Sequence, residues 1–243
     1  GLILSSVENS ELTYEKKHEL NIGAEIGFID NRINIEADWY TRNNFDLIGL
    51  IYTKGTGGQL AKFANVASMK SSGVEFTVST RNIKTKDFSW NTDFIFSHTK
   101  NEVTDLQSNA SVMDMISGNG FAMEGYPVRA LFSMDFQGLN ENGYPTFINE
   151  KGQFTVSDIN FQEQLKKDHL VYEGPTDPTM TGSLGNIFRY KGFTLNAFIT
   201  YSFGNVIRLD PVFHNVYSDL DAMPREFINR WTTGGDEKVT NVP

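Results

Sequence analysis

The chain contains no cysteine in 243 residues. Disulfides, thiol chemistry and cysteine-ligated zinc are thereby excluded. Positive charge is in short supply, with 21 Lys and Arg against 30 Asp and Glu and a net charge of −9. A general nucleic-acid binder needs a basic face to neutralise phosphates, so that class is set aside. Long apolar runs are also missing. No stretch of about 18 apolar residues occurs, and no transmembrane helix can be drawn. A membrane is not thereby excluded, because a transmembrane strand needs only about 9–11 residues of alternating polarity. No secretory leader is visible and Gly1 is not an initiator, which suggests an N-terminus cut from something longer.

Catalytic constellations are lacking as well. His18, His98, His169 and His214 are scattered without HxxxH or HExxH spacing and read as surface or rim residues, with no metal expected. Gly55-Thr56-Gly57-Gly58 lacks the Gly-Lys-Ser/Thr ending of a phosphate loop and reads as a plain loop. Glu36 and Asp38 share one strand face and suit a polar interior better than a sugar-cleaving pair. Asp177, Asp210, Asp219 and Asp221 lack the spacing of a calcium loop. No Gly-x-Ser-x-Gly elbow is present. The chain is therefore expected not to be an enzyme and to need no cofactor.

What the sequence does have is aromatics (13%), 21 glycines and a strong period of two. Leu20, Ile22, Ala24, Ile26 and Phe28 alternate with polar residues. A tight turn at Asp30-Asn31 leads to Ile33, Ile35, Ala37 and Trp39. Further runs carry Val74 to Thr80, Phe88 to Phe96, Leu184 to Tyr190 and Phe193 to Phe203 at every second residue. None of these six apolar rows holds an Asp, Glu, Lys or Arg, in a chain that is 21% charged. The interleaved rows carry the charge, among them Glu25, Glu36, Asp38, Glu75 and Asp93. Asn34, Thr77, Asn91, Thr194 and Asn196 also fall there.

The connections alternate in length. Residues 29–32, 82–87 and 191–192 are tight, whereas 45–72, 101–182 and 204–243 are long. In an up-and-down sheet, every second connection lies at the same rim. Short turns at one rim and long loops at the other are the asymmetry of outer-membrane barrels, in which the long loops are extracellular. Eleven residues at about 3.4 Å each, tilted near 45°, cover about 26 Å of bilayer. A charge at mid-bilayer on the lipid face costs roughly 2–4 kcal/mol, which accounts for the uncharged rows. Trp39, Phe88, Trp90, Tyr190, Phe193 and Tyr201 fall near run ends, where an aromatic girdle belongs. The expected fold is all-β, an antiparallel up-and-down transmembrane β-barrel of which about six strands are present. Six cannot close, so the remaining strands are expected from elsewhere in a longer chain or from partners. Within the long segments, Tyr126 to Leu139 is expected to form an extended hairpin and Gly138–Gly143 a turn. Ser157–Asp168 is expected to hold a helical turn capped by Ser157 or Asp158, and Asp221–Trp231 a short helix.

Five segments carry a family resemblance. They are NVASMKSSGVEF (Asn65–Phe76), FSWNTDFIFSHTKNEVTDL (Phe88–Leu106) and EGYPVRALFSMDFQGLNENGYPTF (Glu124–Phe147), then GPTDPTMTGSLGNIFRYKGFTLNAFITYSFGN (Gly174–Asn205) and RWTTGGDE (Arg230–Glu237). In this order the chain resembles the SusC/RagA-like branch of TonB-dependent outer-membrane transporters, over nearly its whole length. Ala67 stands where the family often has Gly. The matching motif positions include Asn65, Ser72, Gly73, Glu75, Trp90, Pro127, Tyr190, Arg230 and Trp231.

The resemblance implies that residues 1–243 are part of one receptor barrel domain of 22 strands. A plug and a TonB-contacting region would lie upstream and the last strands downstream. It further implies a SusD-like surface lipoprotein partner, TonB coupling, outer-membrane lipid around the wall, and import of oligosaccharide or peptide. Long-loop aromatics are the binding candidates: Phe45, Tyr52, Phe121, Tyr126, Tyr144, Phe147, Phe213 and Tyr217. The alternatives are a soluble extracellular glycan-binding β-sandwich and a passive porin or adhesin barrel.

Overall fold

The computed structural model describes residues 9–52, 61–107, 110–118, 120–212, 218 and 222–243, without the side chains of Leu50, Tyr52 and Ala61. These fall into two units. The first comprises Gly1–Ser108, Ala122–Arg129 and Asp177–Asn205; the second comprises Asn109–Phe121, Ala130–Thr176 and Val206–Pro243.

The first unit is one antiparallel sheet built from the period-two runs. Its strands are β1 (Lys16–Phe28), β2 (Ile33–Tyr52), β3 (Ala61–Lys84), β4 (Phe88–Leu106), β10 (Met180–Tyr190) and β11 (Phe193–Phe203), hydrogen-bonded in that order. The expected six strands are present, in up-and-down order. Three are longer than the alternation suggested, at 20, 24 and 19 residues for β2, β3 and β4. Residues 45–72 are therefore not one long connection. β2 continues to Tyr52 and β3 begins at Ala61, so only 53–60 join them. In the same way β4 runs past residue 101 to Leu106. Beyond the apolar rows, pairs such as Asn43↔Lys70 and Lys70↔Glu102 keep the ladder going with polar side chains. The backbone pairing persists where the amphipathic signal stops, which is why the sequence hid it.

The short turns use left-handed backbone. Ile29, Asp30 and Asn31 all have φ between 51° and 57°, and Arg32 N–H closes the turn on Phe28 O at 3.0 Å. Asp and Asn tolerate that conformation; a β-branched Ile rarely does. Arg81 helps hold the turn by donating to Asn31 O at 2.6 Å. Lys191 (φ 52°) precedes Gly192 in a two-residue hairpin loop between β10 and β11, as the twist of antiparallel strands favours.

The register sorts the side chains. On one face, cross-strand rows read Ile26–Ile35–Val78–Phe94–Leu184–Ile199 and Ala24–Ala37–Phe76–Phe96–Gly182–Tyr201. Much of this face is bare, with Ile22 at 60%, Leu195 at 64% and Ile199 at 62% exposure. The other face carries Glu25 opposite Glu36 and Asp38 opposite Glu75. Tyrosine rings cover two glycines. A Cβ on Gly73 would lie 2.6 Å from Tyr40 Oη and from His98 O, and Tyr40 Oη bonds Thr99 Oγ1 at 2.8 Å. On the apolar face Tyr201 lies over Gly182 and donates to Ile95 O at 3.0 Å. Such aromatic–glycine pairs pin strand register.

The second unit has a small core of its own: Ala110, Val112, Met115, Ala130, Leu131, Phe132 and Leu139, with buried Asn149. It contains α1 (Val112–Ile116), β5 (Ala130–Met134), β6 (Phe136–Leu139), β7 (Pro145–Ile148), β8 (Phe154–Thr155) and β9 (Leu170–Pro175). β5 pairs with β9, and β6–β7–β8 form a second sheet.

Two expectations for these segments are corrected. Tyr126–Leu139 is not one hairpin, because Tyr126 O accepts from Val103 N–H on β4 (2.9 Å), β5 pairs with the distant β9, and only β6 turns back on β7. The turn within Gly138–Gly143 does form, with Gly143 N–H on Asn140 O at 2.9 Å. Ser157–Asp168 is turns and irregular backbone without a helix. Its carbonyls at Phe161 and Glu163 accept the first amides of α1, from Met113 and Val112 at 2.9 Å each. Helix α1 itself was unexpected, although Ser111 and Asp114 form a capping box that the sequence spells out. The short helix expected within Asp221–Trp231 is present as a 3-10 helix over Arg225–Asn229.

Replacing Gly73 by Ala should displace Tyr40, break its bond to Thr99 and destabilise the wall by about 1–3 kcal/mol. Gly192→Ala, which meets open space, should be close to neutral. The temperature at which the full-length protein loses its compact gel mobility would report both.

Candidate functional site

Two surfaces and several fasteners make up the functional geometry. The charged face of the first unit holds Asn34, Glu36, Asp38, Glu75, Thr77, Asn91, Asp93, Thr194 and Asn196 on one side of the sheet, as the alternation implies. Like charges directly opposite each other disfavour a sheet unless water or a counter-charge relieves them. Further along this face Glu19 pairs with Lys17 at 2.7 Å and with Arg42 at 3.0 Å. The Arg42 guanidinium lies 4.3 Å from the Tyr40 ring centroid.

The expected aromatic girdle lies at two levels of the apolar face. Phe88, Tyr190 and Phe193 are cross-strand neighbours beside the short turns, with Trp90 and Phe188 one row in. Trp39 and Tyr201 lie toward the long connections. Trp90 stacks on Phe188 (5.6 Å between centroids) and donates Nε1–H to Asn186 Oδ1 at 2.9 Å. Asn186 Oδ1 also accepts from Thr92 at 2.7 Å, and Asn82 reaches Thr92 Oγ1 at 2.6 Å. The polar side chains near this rim thus satisfy one another.

The motif residues act as fasteners. Asn65 accepts Thr13 N–H (2.8 Å) and donates to Thr13 O (2.9 Å) and Asp46 O (2.6 Å). It ties the segment before β1 to the bulge in β2, where Asp46 has φ 57°. Gly73 lies beneath Tyr40, Glu75 faces Asp38, and Ser72 faces Thr41 and Lys100 across the strands. Pro127 follows Tyr126 in a loop held to β4, with Val128 N–H donating to Asn101 Oδ1 at 2.9 Å. Arg230 lies 4.7 Å over Phe227. The Trp231 ring covers Gly143 (φ 79°) in the β6–β7 turn, and its Nε1–H reaches Glu237 at 3.4 Å.

The loop aromatics do not form one cluster. Phe45 meets His18 edge-on at 5.4 Å, near the long-connection end of β2. Tyr52 ends β2, and its side chain lies outside the described residues. Tyr126 is half-buried against β4. In the second unit Phe121 bridges Ala130, Tyr144 is exposed at the β6–β7 turn, and Phe147 leans on Phe136 at 5.9 Å. Phe213, Tyr217, His214, Asp219, Asp221 and the Gly55–Gly58 loop lie outside the described residues. Among the described residues no group of three His, Cys, Asp or Glu is placed to hold a metal. Sequence reading missed Tyr40 and Asn149 as organisers. Asn149 Oδ1 accepts Lys151 and Gln153 N–H at 3.0 Å each, and its amide donates to Asp158 O at 3.0 Å.

Asp236 gathers the end of the Arg-Trp-Thr segment. It accepts N–H from Thr232 and Thr233 (3.0 Å each) and the Thr232 hydroxyl (2.9 Å). The Thr232 amide first, then its hydroxyl and the Thr233 amide, hold the carboxyl below the ordinary carboxylate value. A depressed folded pKa gives order that is complete above the unfolded value and lost as pH falls through the folded one. Trp231 fluorescence should therefore shift on acidification below the ordinary Asp range, and Asp236→Asn should remove that pH dependence.

The chain is similar to known proteins in sequence and in fold. The family model for the TonB dependent receptor-like β-barrel matches residues 4–216. TonB-dependent receptor P3 of Formosa agariphila is 24% identical over 257 aligned positions, covering 100% of this chain and 25% of that protein. TonB-dependent receptor SusC of Bacteroides thetaiotaomicron is 27% identical over 241, covering 88% and 23%. The RagAB peptide transporter structure superimposes with a TM-score of 0.75 at 24% identity, over 100% of this chain and 27% of that one. The chain thus spans about a quarter of the length of the curated relatives it matches. With an antiparallel wall whose apolar rows are bare on one face and a family match over most of its length, the chain belongs to the TonB dependent receptor-like β-barrel family.

Proposed function

We propose that this chain supplies wall and mouth to an importer in the Gram-negative outer membrane, one that takes up oligosaccharide or peptide with energy passed through TonB. One observation carries the reading: a single up-and-down sheet leaves a band of uncharged apolar rows bare on one face while its opposite face is acidic and polar. A soluble sandwich would bury those apolar rows against a second layer. A membrane wall turns them to hydrocarbon and leaves the carboxylates to water and a plug.

The relatives support the class of activity. They are TonB-dependent receptors, one of them SusC, and the structural neighbour is a peptide transporter. The family is one of receptors and transporters, and bond chemistry has no part in the reading. Residues 1–243 serve as part of one receptor barrel domain, with its long connections extracellular. A SusD-like lipoprotein closes over that side, and the aromatics Phe45, Tyr52, Phe121, Tyr126, Tyr144, Phe147, Phe213 and Tyr217 contribute cargo or lid contacts.

Two experiments bear on this. In the full-length protein Ile199→Arg should lower barrel stability by roughly 2–4 kcal/mol, whereas Thr200→Arg, one residue along on the opposite face, should cost far less. Equal effects, or a parent protein that remains monomeric without detergent, would exclude the membrane wall. Deleting the parent gene should abolish energy-dependent uptake of oligosaccharide or peptide. Uptake that survives depletion of TonB would exclude an energised importer.

A further inference from the structure

The apolar face is not uniformly bulky. Ala24 and Ala37 are paired on β1 and β2, between the larger rows of Ile26–Ile35 and Ile22–Trp39. The small side chains leave an open groove of about 480 Å³, floored by the two alanines and walled by Ile22, Trp39, Phe76 and Phe96. The next cross-strand row toward the long connections is Leu20–Thr41–Ser72–Lys100, followed by His18–Asn43–Lys70–Glu102. These rows line a second cavity of about 220 Å³, with Thr41, Ser72, Lys70, Lys100 and Glu102 around it. The groove and the polar cavity lie on one face, with the row Ile22–Trp39–Val74–His98 between the alanines and the hydroxyls and ammonium groups.

The charges in the polar cavity are two lysines against one carboxylate. Lys70 Nζ is 3.2 Å from Glu102, with more than half of the lysine side chain exposed. Such an exposed pair is weak and gives way readily to a better acceptor. Lys100 is exposed and makes no ion pair among the described residues. Lysines placed just beyond an apolar band extend their stems along it and offer their heads to the interface.

We propose that this face holds a membrane lipid with an anionic, phosphate-bearing headgroup. Its acyl chain lies along the Ala24–Ala37 groove past Trp39. Its phosphate meets Lys100 and Lys70, and the Thr41 and Ser72 hydroxyls donate to its oxygens. A free phosphate would use only the upper cavity, whereas the apolar groove selects an amphiphile. The proposal rests on the reading of this face as hydrocarbon-facing.

The test uses the full-length receptor in nanodiscs of phosphatidylcholine doped with phosphatidylglycerol, with the photoreactive residue benzoylphenylalanine at Trp39 or, separately, at Leu195. At Trp39 the anionic lipid should be captured about tenfold above its share of the bilayer. Lys70→Gln with Lys100→Gln should abolish that enrichment, and Lys70→Arg with Lys100→Arg should retain it. At Leu195, far from the lysines, both lipids should be captured in proportion. Capture at Trp39 without enrichment, or enrichment that survives the glutamine pair, overturns the lipid site while Leu195 still reports a hydrocarbon-facing wall. Loss of the enrichment to soluble glycerol phosphate overturns it in favour of a free-phosphate site. Absence of lipid capture at both positions overturns the site and the membrane reading together.

Discussion

A backbone amide left bare in hydrocarbon costs several kcal/mol, and the rest of the first unit follows from that penalty. The ladder from β1 through β4 to β10 and β11 joins each strand to its neighbour along the apolar rows. Once the backbone is paired, side-chain alternation has two surfaces to fill. Hydrocarbon tolerates Leu195, Ile199 and Phe94; water tolerates Glu36, Asp38 and Glu75. A one-residue slip would exchange the two sets, so register carries the whole energetic cost of a mistake. Tyr40 over Gly73 and Tyr201 over Gly182 fix that register from opposite faces.

The residues that carry the family resemblance are mostly fasteners of this ladder and its connections. Asn65 gives its side chain to the backbone of Thr13 and Asp46, joining the segment before β1 to a bulge. Trp90 meets Asn186 across strands far apart in sequence. Trp231 seats on Gly143, where a Cβ would come within 2.5 Å of the ring. Each makes a contact that a substitute of different shape or hydrogen-bonding capacity could not reproduce.

The second unit shows a different economy. Its core is small, and its order comes from side chains that close turns: Ser111 with Asp114, Asn140, Asn149 and Asp236. Short polar side chains that satisfy backbone amides let a long connection hold a defined shape without long strands. Such a segment can vary its exposed side chains, Tyr144 and Phe154 among them, at little cost to the ladder.

Local chemistry was enough to read several features from residue order. Period-two alternation between Leu20 and Phe28 or Phe193 and Phe203 marks strands because successive side chains must point to opposite faces. The Lys191-Gly192 turn was legible as a two-residue polar and glycine break between two alternating runs. The uncharged rows mark a band of that face where a charge is costly. Tertiary structure decided what depends on distant partners. β2, β3 and β4 run past their amphipathic segments because neighbouring backbones stay paired there. β5 lies beside β9 across some 40 residues of sequence, a pairing between partners too far apart for local alternation to announce. The 161–163 carbonyls serve α1 instead of a helix of their own. The groove at Ala24 and Ala37 and the lysines beside it exist only once four strands are in register, because no stretch of the chain contains both.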